Sequence, residues 1–234
     1  MASTLVSATV SNSFRYCIHF FYMQTPPVGI RGTSLRKICQ KYKDTLHYAT
    51  LYDSSQRLPL YSAYMDTPWM YEPQLISDDE GGNMKALPLT DTTHPLIEDS
   101  QAVLEDYTDA VGYRRGPLNP DLHQADPDDK SSTYTLTSVV PFITEFLDYS
   151  WNPYLDTVRR RLNNFCNGKS FIVTGVMVSG VTIQQENTNR LAIPNSNMEP
   201  FRHSNMHMNF EDTQAVLDVD KNFQIFYKDC VSDS

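Results

Sequence analysis

Long apolar runs are missing from this chain. The longest such stretch, residues 171–178, falls far short of the ~20 residues that a membrane-spanning helix needs. No membrane span is therefore expected. Residues 1–13 contain neither a basic cluster nor a long apolar run, so they read as a flexible N-terminal segment and not as a signal peptide. An excess of positive charge is also missing. Lys and Arg number 19 against 28 Asp and Glu, a net charge of −9. Proteins that grip nucleic acid through its phosphates usually present a basic surface. The balance here argues against tight nucleic-acid binding. The one dense basic run, Arg159-Arg160-Arg161, reads as a solvated helix face. Cys-x-x-Cys pairs, internal repeats and low-complexity tracts are absent as well, which argues against a zinc site and a repeat architecture.

What is present is a globular composition. Hydrophobic residues make up 40% and aromatic residues 12% of 234 positions, enough to bury one sizeable core. Residues 14–234 are expected to form a single domain. Four widely spaced cysteines, Cys17, Cys39, Cys166 and Cys230, fit two disulfides and an oxidising compartment. Their spacing leaves all three pairings open, and four buried free thiols are the alternative.

Segments 47–52 and 57–64 are rich in Tyr, Leu and Thr and read as strands around a turn at 53–56. Residues 35–42 read as a short helix or a turn into a strand. Residues 77–95 read as surface loop, and 100–107 as a short helix capped by Ser100. Residues 113–120 form a strand end and turn, and 121–130 a polar surface segment. Residues 133–140 alternate as a strand. From Pro141 a longer helix is expected, with Trp151, Leu155, Val158, Leu162 and Phe165 on one apolar face. Asn167-Gly168 would end it. Residues 171–178 read as a buried strand and 186–209 as loop. Helices on a central antiparallel sheet define an α+β fold.

One run stands out: Tyr113-Arg114-Arg115-Gly116-Pro117-Leu118-Asn119-Pro120. It resembles the Asp-Arg-Gly-His-Leu-Asn-Pro signature of the DNA/RNA non-specific endonucleases, the ββα-metal fold. Further strings, in order from about residue 14 to 230, are similar to vertebrate endonuclease domain-containing 1 proteins. They include Cys17-Ile18-His19-Phe20-Phe21-Tyr22, Leu58-Pro59-Leu60-Tyr61-Ser62-Ala63-Tyr64 and Trp69-Met70-Tyr71-Glu72-Pro73-Gln74-Leu75. The resemblance implies secretion and a ββα-metal nuclease-like fold. The activity does not follow from the fold.

A one-metal nuclease needs a base to make hydroxide, a divalent ion, an oxygen ligand for it and a cation for the transition state. The resemblance places the general base at Pro117, which has no titratable group. The signature aspartate is replaced by Arg114, a charge reversal; the arginine is kept as Arg115, and the asparagine as Asn119. Alignment on Pro141 and Trp151 puts Leu147 at the metal-binding asparagine and Leu155 at a helix glutamate. Ser138 and Phe142 replace the family's asparagine and glutamine around the proline. Arg115 is expected to serve as a structural ion-pair partner.

Other candidates are weaker. His123 reads as an exposed histidine and is the one substitute for the base; Asp148 is the nearest carboxylate to the lost ligand. His203 and His207, with Glu199, have helical metal-ligand spacing but sit in a segment broken by prolines. Asp126, Asp128 and Asp129 lack the glycine and closing glutamate of a calcium loop.

The expectation is a secreted, catalytically inactive endonuclease-like protein with a binding or structural role and no cofactor. Its partner would be a protein or small molecule of unknown identity, with no membrane. A weak nuclease with a rebuilt site, using Mg2+ or Mn2+ and nucleic acid, is the first alternative. A self-assembling extracellular structural protein, oligomeric, is the second.

Overall fold

The computed structural model describes residues 6–66, 99–108, 110–165, 169–185 and 187–195. The expected strand pair at 47–64 forms as β3 (Thr45–Asp53) and β4 (Leu58–Asp66). Asp53 Oδ1 accepts from the backbone N–H of Ser55 at 2.9 Å and holds the turn between them. Residues 35–42 are strand throughout, β2 (Leu35–Tyr42). A two-residue turn joins β2 to β3, with Lys43 and Asp44 both at positive φ (47° and 64°). Residues 1–13, expected to be flexible, contribute an edge strand, β1 (Val6–Ser11).

These strands and β7 (Ser170–Gly175) build one antiparallel sheet, ordered β1-β2-β3-β4-β7. A second antiparallel pair joins β5 (Tyr113–Pro117) to β6 (Val139–Ile143). The strand lies later than the alternation at 133–140 suggested. Pro141 sits inside it, opposite Arg115. The helix therefore starts after Ile143, as a short turn (Thr144–Phe146), a π-turn (Leu147–Trp151) and then the long helix α2 (Asn152–Phe165). Helical backbone angles at Leu147 and Asn152 keep the rod continuous. Strand, strand and helix thus form a ββα unit beside the main sheet, and the fold is α+β and nuclease-like.

The segment 121–130 is not simply surface. It holds a 3-10 turn (Asp121–His123) and then α1 (Pro127–Ser132), which Asp126 caps by accepting from the Asp128 N–H at 2.7 Å. The short helix near 100–107 narrows to a 3-10 turn at Leu104–Tyr107, closed by the Val103 N–H donating to Asp106 Oδ2 at 2.9 Å. Residues 186–209 are not wholly loop: β9 (Thr188–Pro194) pairs with β8 (Val178–Gln185). Buried Asp106 takes two hydrogen bonds from Arg190, at 2.8 and 3.2 Å, and pins β9 to that turn. The readings for 77–95, the stop at Asn167-Gly168, and the group Glu199, His203 and His207 lie outside the described residues.

Four of the five residues on the predicted helix face, Trp151, Leu155, Val158 and Leu162, are buried. Trp151 and Leu155 enter a core with Leu118, Val140 and Phe142, while Val158 and Leu162 pack on Tyr48, Tyr64 and Ile172 of the sheet. Burying each of these side chains stabilises by about 1.5–3 kcal/mol. A third cluster surrounds the Cys17–Cys39 disulfide, with Phe14, Phe20, Phe21 and Tyr61. Cys166 and Cys230 lie outside the described residues.

Candidate functional site at the ββα unit

β5 and the helix bring the signature positions together. Gly116 lies in the middle of it, and only a glycine fits there. A Cβ at Gly116 would stand 2.1 Å from Phe142 Cδ2 and 3.1 Å from Leu147 Cδ1. The ring of Phe142 therefore lies against the signature backbone. Around it the aromatic rings close ranks: Phe142 to Phe146 at 5.2 Å, Phe142 to Trp151 at 5.3 Å, and Trp151 to Tyr154 at 6.2 Å between centroids. The Trp151 Nε1–H points to the Pro117 carbonyl oxygen at 3.4 Å and ties the helix to β5. Leu147 and Leu155 are buried in the same cluster.

The residues present do not fit a divalent ion. Such an ion wants oxygen ligands, and Pro117, Phe142, Leu147 and Leu155 supply none from their side chains. Asp148 does carry oxygens, but both accept from Arg114 Nη1, at 2.9 and 3.0 Å. The reversed charge at position 114 thus binds the one carboxylate beside Leu147. Among the described residues, no group of three or more His, Cys, Asp or Glu side chains is gathered for a metal. Asp126, Asp128 and Asp129 stand apart, tied to a helix cap, to Lys43 and to His47.

His123 is not exposed. It is fully buried, under the start of α2. Its Nε2–H donates to the Leu155 carbonyl at 2.9 Å, because a carbonyl only accepts. Its Nδ1 therefore accepts from the Tyr64 hydroxyl at 2.9 Å. Burial pushes its pKa down to about 4, with the Leu155 hydrogen bond opposing. The ring is neutral, doubly engaged and packed at 6.0 Å from Tyr64. It crosslinks the 3-10 turn, the helix and β4.

The remaining signature residues have structural surroundings. Asn119 is buried and its Oδ1 accepts from Gln124 Nε2 at 2.7 Å. Arg115 is half-buried on β5; its positive charge acts on the buried Tyr107 hydroxyl, whose pKa burial drives well up. Among the described residues no carboxylate forms an ion pair with Arg115; the paired arginine is Arg114. Arg159 and Arg160, read as a solvated face, both pair with Asp156, at 2.8 and 2.9 Å.

Ser138 belongs to a buried polar layer between β6 and the sheet. Gln40 Nε2 donates to Thr137 at 2.8 Å, Thr50 meets Ser62 at 3.2 Å, and Ser62 meets Ser138 at 3.4 Å. Polar side chains scattered from 40 to 138 give no local signal in the sequence.

No family model matches the chain. It is 30% identical over 195 residues to a human protein, the endonuclease domain-containing 1 protein. That match covers 77% of this chain and 37% of the human protein. The mouse protein of the same name is 31% identical over 188 residues, covering 71% of this chain and 35% of its own length. The chain spans little more than a third of the length of these relatives. The resemblance to the endonuclease domain-containing 1 proteins is thereby borne out.

Proposed function

We propose that this endonuclease-like chain, homologous to the endonuclease domain-containing 1 proteins, is a secreted pseudonuclease. In this reading it keeps the scaffold, has lost phosphodiester hydrolysis, and acts through binding or structure. The observation that carries the reading is the Phe142 ring against Gly116, with Leu147 and Trp151 filling the space around it. A base, a water and a hydrated ion need a polar cavity at that point. A missing base alone lowers a rate by about two to four orders of magnitude. Loss of the ion removes a further electrostatic contribution of similar size. Secretion is supported by the Cys17–Cys39 disulfide. No helix among the described residues is long and apolar enough to cross a membrane.

The test is cleavage of plasmid DNA and of RNA with Mg2+, Mn2+ or EDTA. Wild type is expected to be silent under all three. A Pro117→His, Phe142→Gln, Leu147→Asn variant runs beside it. Metal-dependent cleavage by that variant would support the assignment of all three positions. Metal-dependent cleavage by the wild type, lost in EDTA, would overturn the pseudonuclease.

A further inference from the structure

Among the described residues, the outer edge of β1 carries none of the devices that usually protect an edge strand. Monomeric proteins blunt an edge with charge, proline or a bulge, because its unpaired N–H and C=O groups template another strand. β1 reads Val-Ser-Ala-Thr-Val-Ser, with no charge, no proline and no glycine. It pairs with β2 at all six residues without a register shift. The inner pairs β2–β3 and β3–β4 both carry shifts, at Gln40/Lys41 and Leu51/Tyr52. Among the described residues no strand covers the outer side of β1.

We propose that this chain self-associates through β1, two copies pairing antiparallel, edge to edge, into one continuous sheet. The inference is independent of the reading of the ββα site. An antiparallel pair joins residues of the same hydrogen-bonding class, so the two-fold axis must pass through a residue. Centred on Ala8, it sets Val6 opposite Val10 of the other copy, and Ser7 opposite Thr9. Val10 is 39% exposed and would be covered. Within one copy Val6 and Val10 stand opposite Tyr42 and Ile38 on β2. Ile38 and Tyr52, with Tyr42 beside them, form a small cluster apart from the main core. The overall charge of −9 opposes association, but β1 brings no charge to the contact. Lys37 and Lys41 lie one strand back on β2, and Lys37 Nζ donates to the Asn12 carbonyl at 3.1 Å.

Light scattering on the eluting protein, from low to high micromolar, is the test. Wild type is expected to reach the mass of two chains as concentration rises. Val10→Lys, and Ala8→Lys with Val10→Lys, are expected to stay at one chain with unchanged far-ultraviolet circular dichroism. Amide hydrogen exchange in residues 6–11 of the wild type should slow with concentration, a readout that needs no variant. A wild type that remains one chain throughout, with exchange in 6–11 unchanged, would overturn the proposal. So would a dimer that both lysine variants leave intact.

Discussion

Arg114 holds Asp148 through one guanidinium nitrogen that reaches both carboxylate oxygens, at 2.9 and 3.0 Å. The pair exchanges what the signature would place there: a cation stands at the acid position and neutralises the acid beside the lost ligand. The two side chains are 57% and 39% exposed, and exposed pairs stabilise by only about 0–1 kcal/mol. Their role is therefore electrostatic. Arg114→Ala is expected to move the melting temperature by no more than a few degrees. Millimolar Mg2+ is expected to leave the wild-type melting temperature unchanged, since a ligand stabilises only a fold that binds it. A rise with Mg2+ in the wild type that Asp148→Asn removes would show that Asp148 is free for a metal after all.

Gly116 and Phe142 are expected to be strongly coupled. Gly116→Ala would drive a methyl to 2.1 Å from the Phe142 ring, closer than any real contact, with Leu147 at 3.1 Å behind it. Overpacking of this kind costs about 1–3 kcal/mol. Phe142→Leu leaves a cavity and costs stability alone, but it should also make room for the new methyl. The double variant is thus predicted to lose less than the sum of the two, by about 0.5–3 kcal/mol in a denaturant-based double-mutant cycle. Strict additivity would mean that the ring does not lie over the glycine.

Much of the fold was legible because it rests on local pattern. The apolar helix positions Trp151, Leu155, Val158 and Leu162 recur at helical spacing, and all four are buried. β2 was harder to read. Its turn into β3 uses Lys43 and Asp44 at positive φ, where Asn-Gly would have announced a hairpin. Pro141 looked like a helix start because proline rarely sits within a strand; here β6 belongs to a two-stranded pair and tolerates it. His123 sits in a polar stretch that reads as surface. Only the packing of Tyr64, 59 residues away, and of Leu155, 32 residues away, makes it a core residue. The composition of the site was readable from the signature positions. Its filling was not, since it depends on where one ring from β6 lands.

The cysteines allow a direct count. Cys17 and Cys39 are joined across a sequence separation of 22, a loop whose closure stabilises by about 3 kcal/mol in the chain-entropy model. Reduction is expected to lower the melting temperature, and Cys39→Ser to do so without reductant. Alkylation of the denatured, unreduced protein, read by intact mass, should label no thiol if Cys166 and Cys230 are also bridged. Two labels would mean a single bridge, which the structure places at Cys17–Cys39, and four would mean none.

Two buried groups should make stability respond to pH in opposite senses. His123 has its pKa pushed down to about 4 by burial, from 6.5. Between those values the unfolded chain holds a proton that the folded chain lacks, so stability falls as pH falls through the window. Asp66 is raised to about 7 from 3.8, again by burial, with Arg159 opposing. It lies at the end of β4 opposite Ser170, and Asp66 Oδ1, Ser170 Oγ and Arg159 Nε are all buried without a hydrogen-bond partner. There the folded chain holds the extra proton, so stability falls as pH rises toward 7. From pH 4.5 to 6.5 the two slopes oppose each other, and His19, its pKa lowered from 6.5 by burial and by Lys169, adds to the His123 sense, so wild-type stability is expected to change less with pH than that of either variant. Asp53 and Asp156, lowered from 3.8, act below that window, and His47, raised from 6.5, acts above it. Removing one group should unmask the other. His123→Gln is expected to lose stability as pH rises, and Asp66→Asn to gain it, each by up to about 1.4 kcal/mol per pH unit. Urea unfolding at pH 4.5, 5.5 and 6.5 on all three proteins reads this directly. Three parallel profiles would show that neither group is held away from its ordinary pKa.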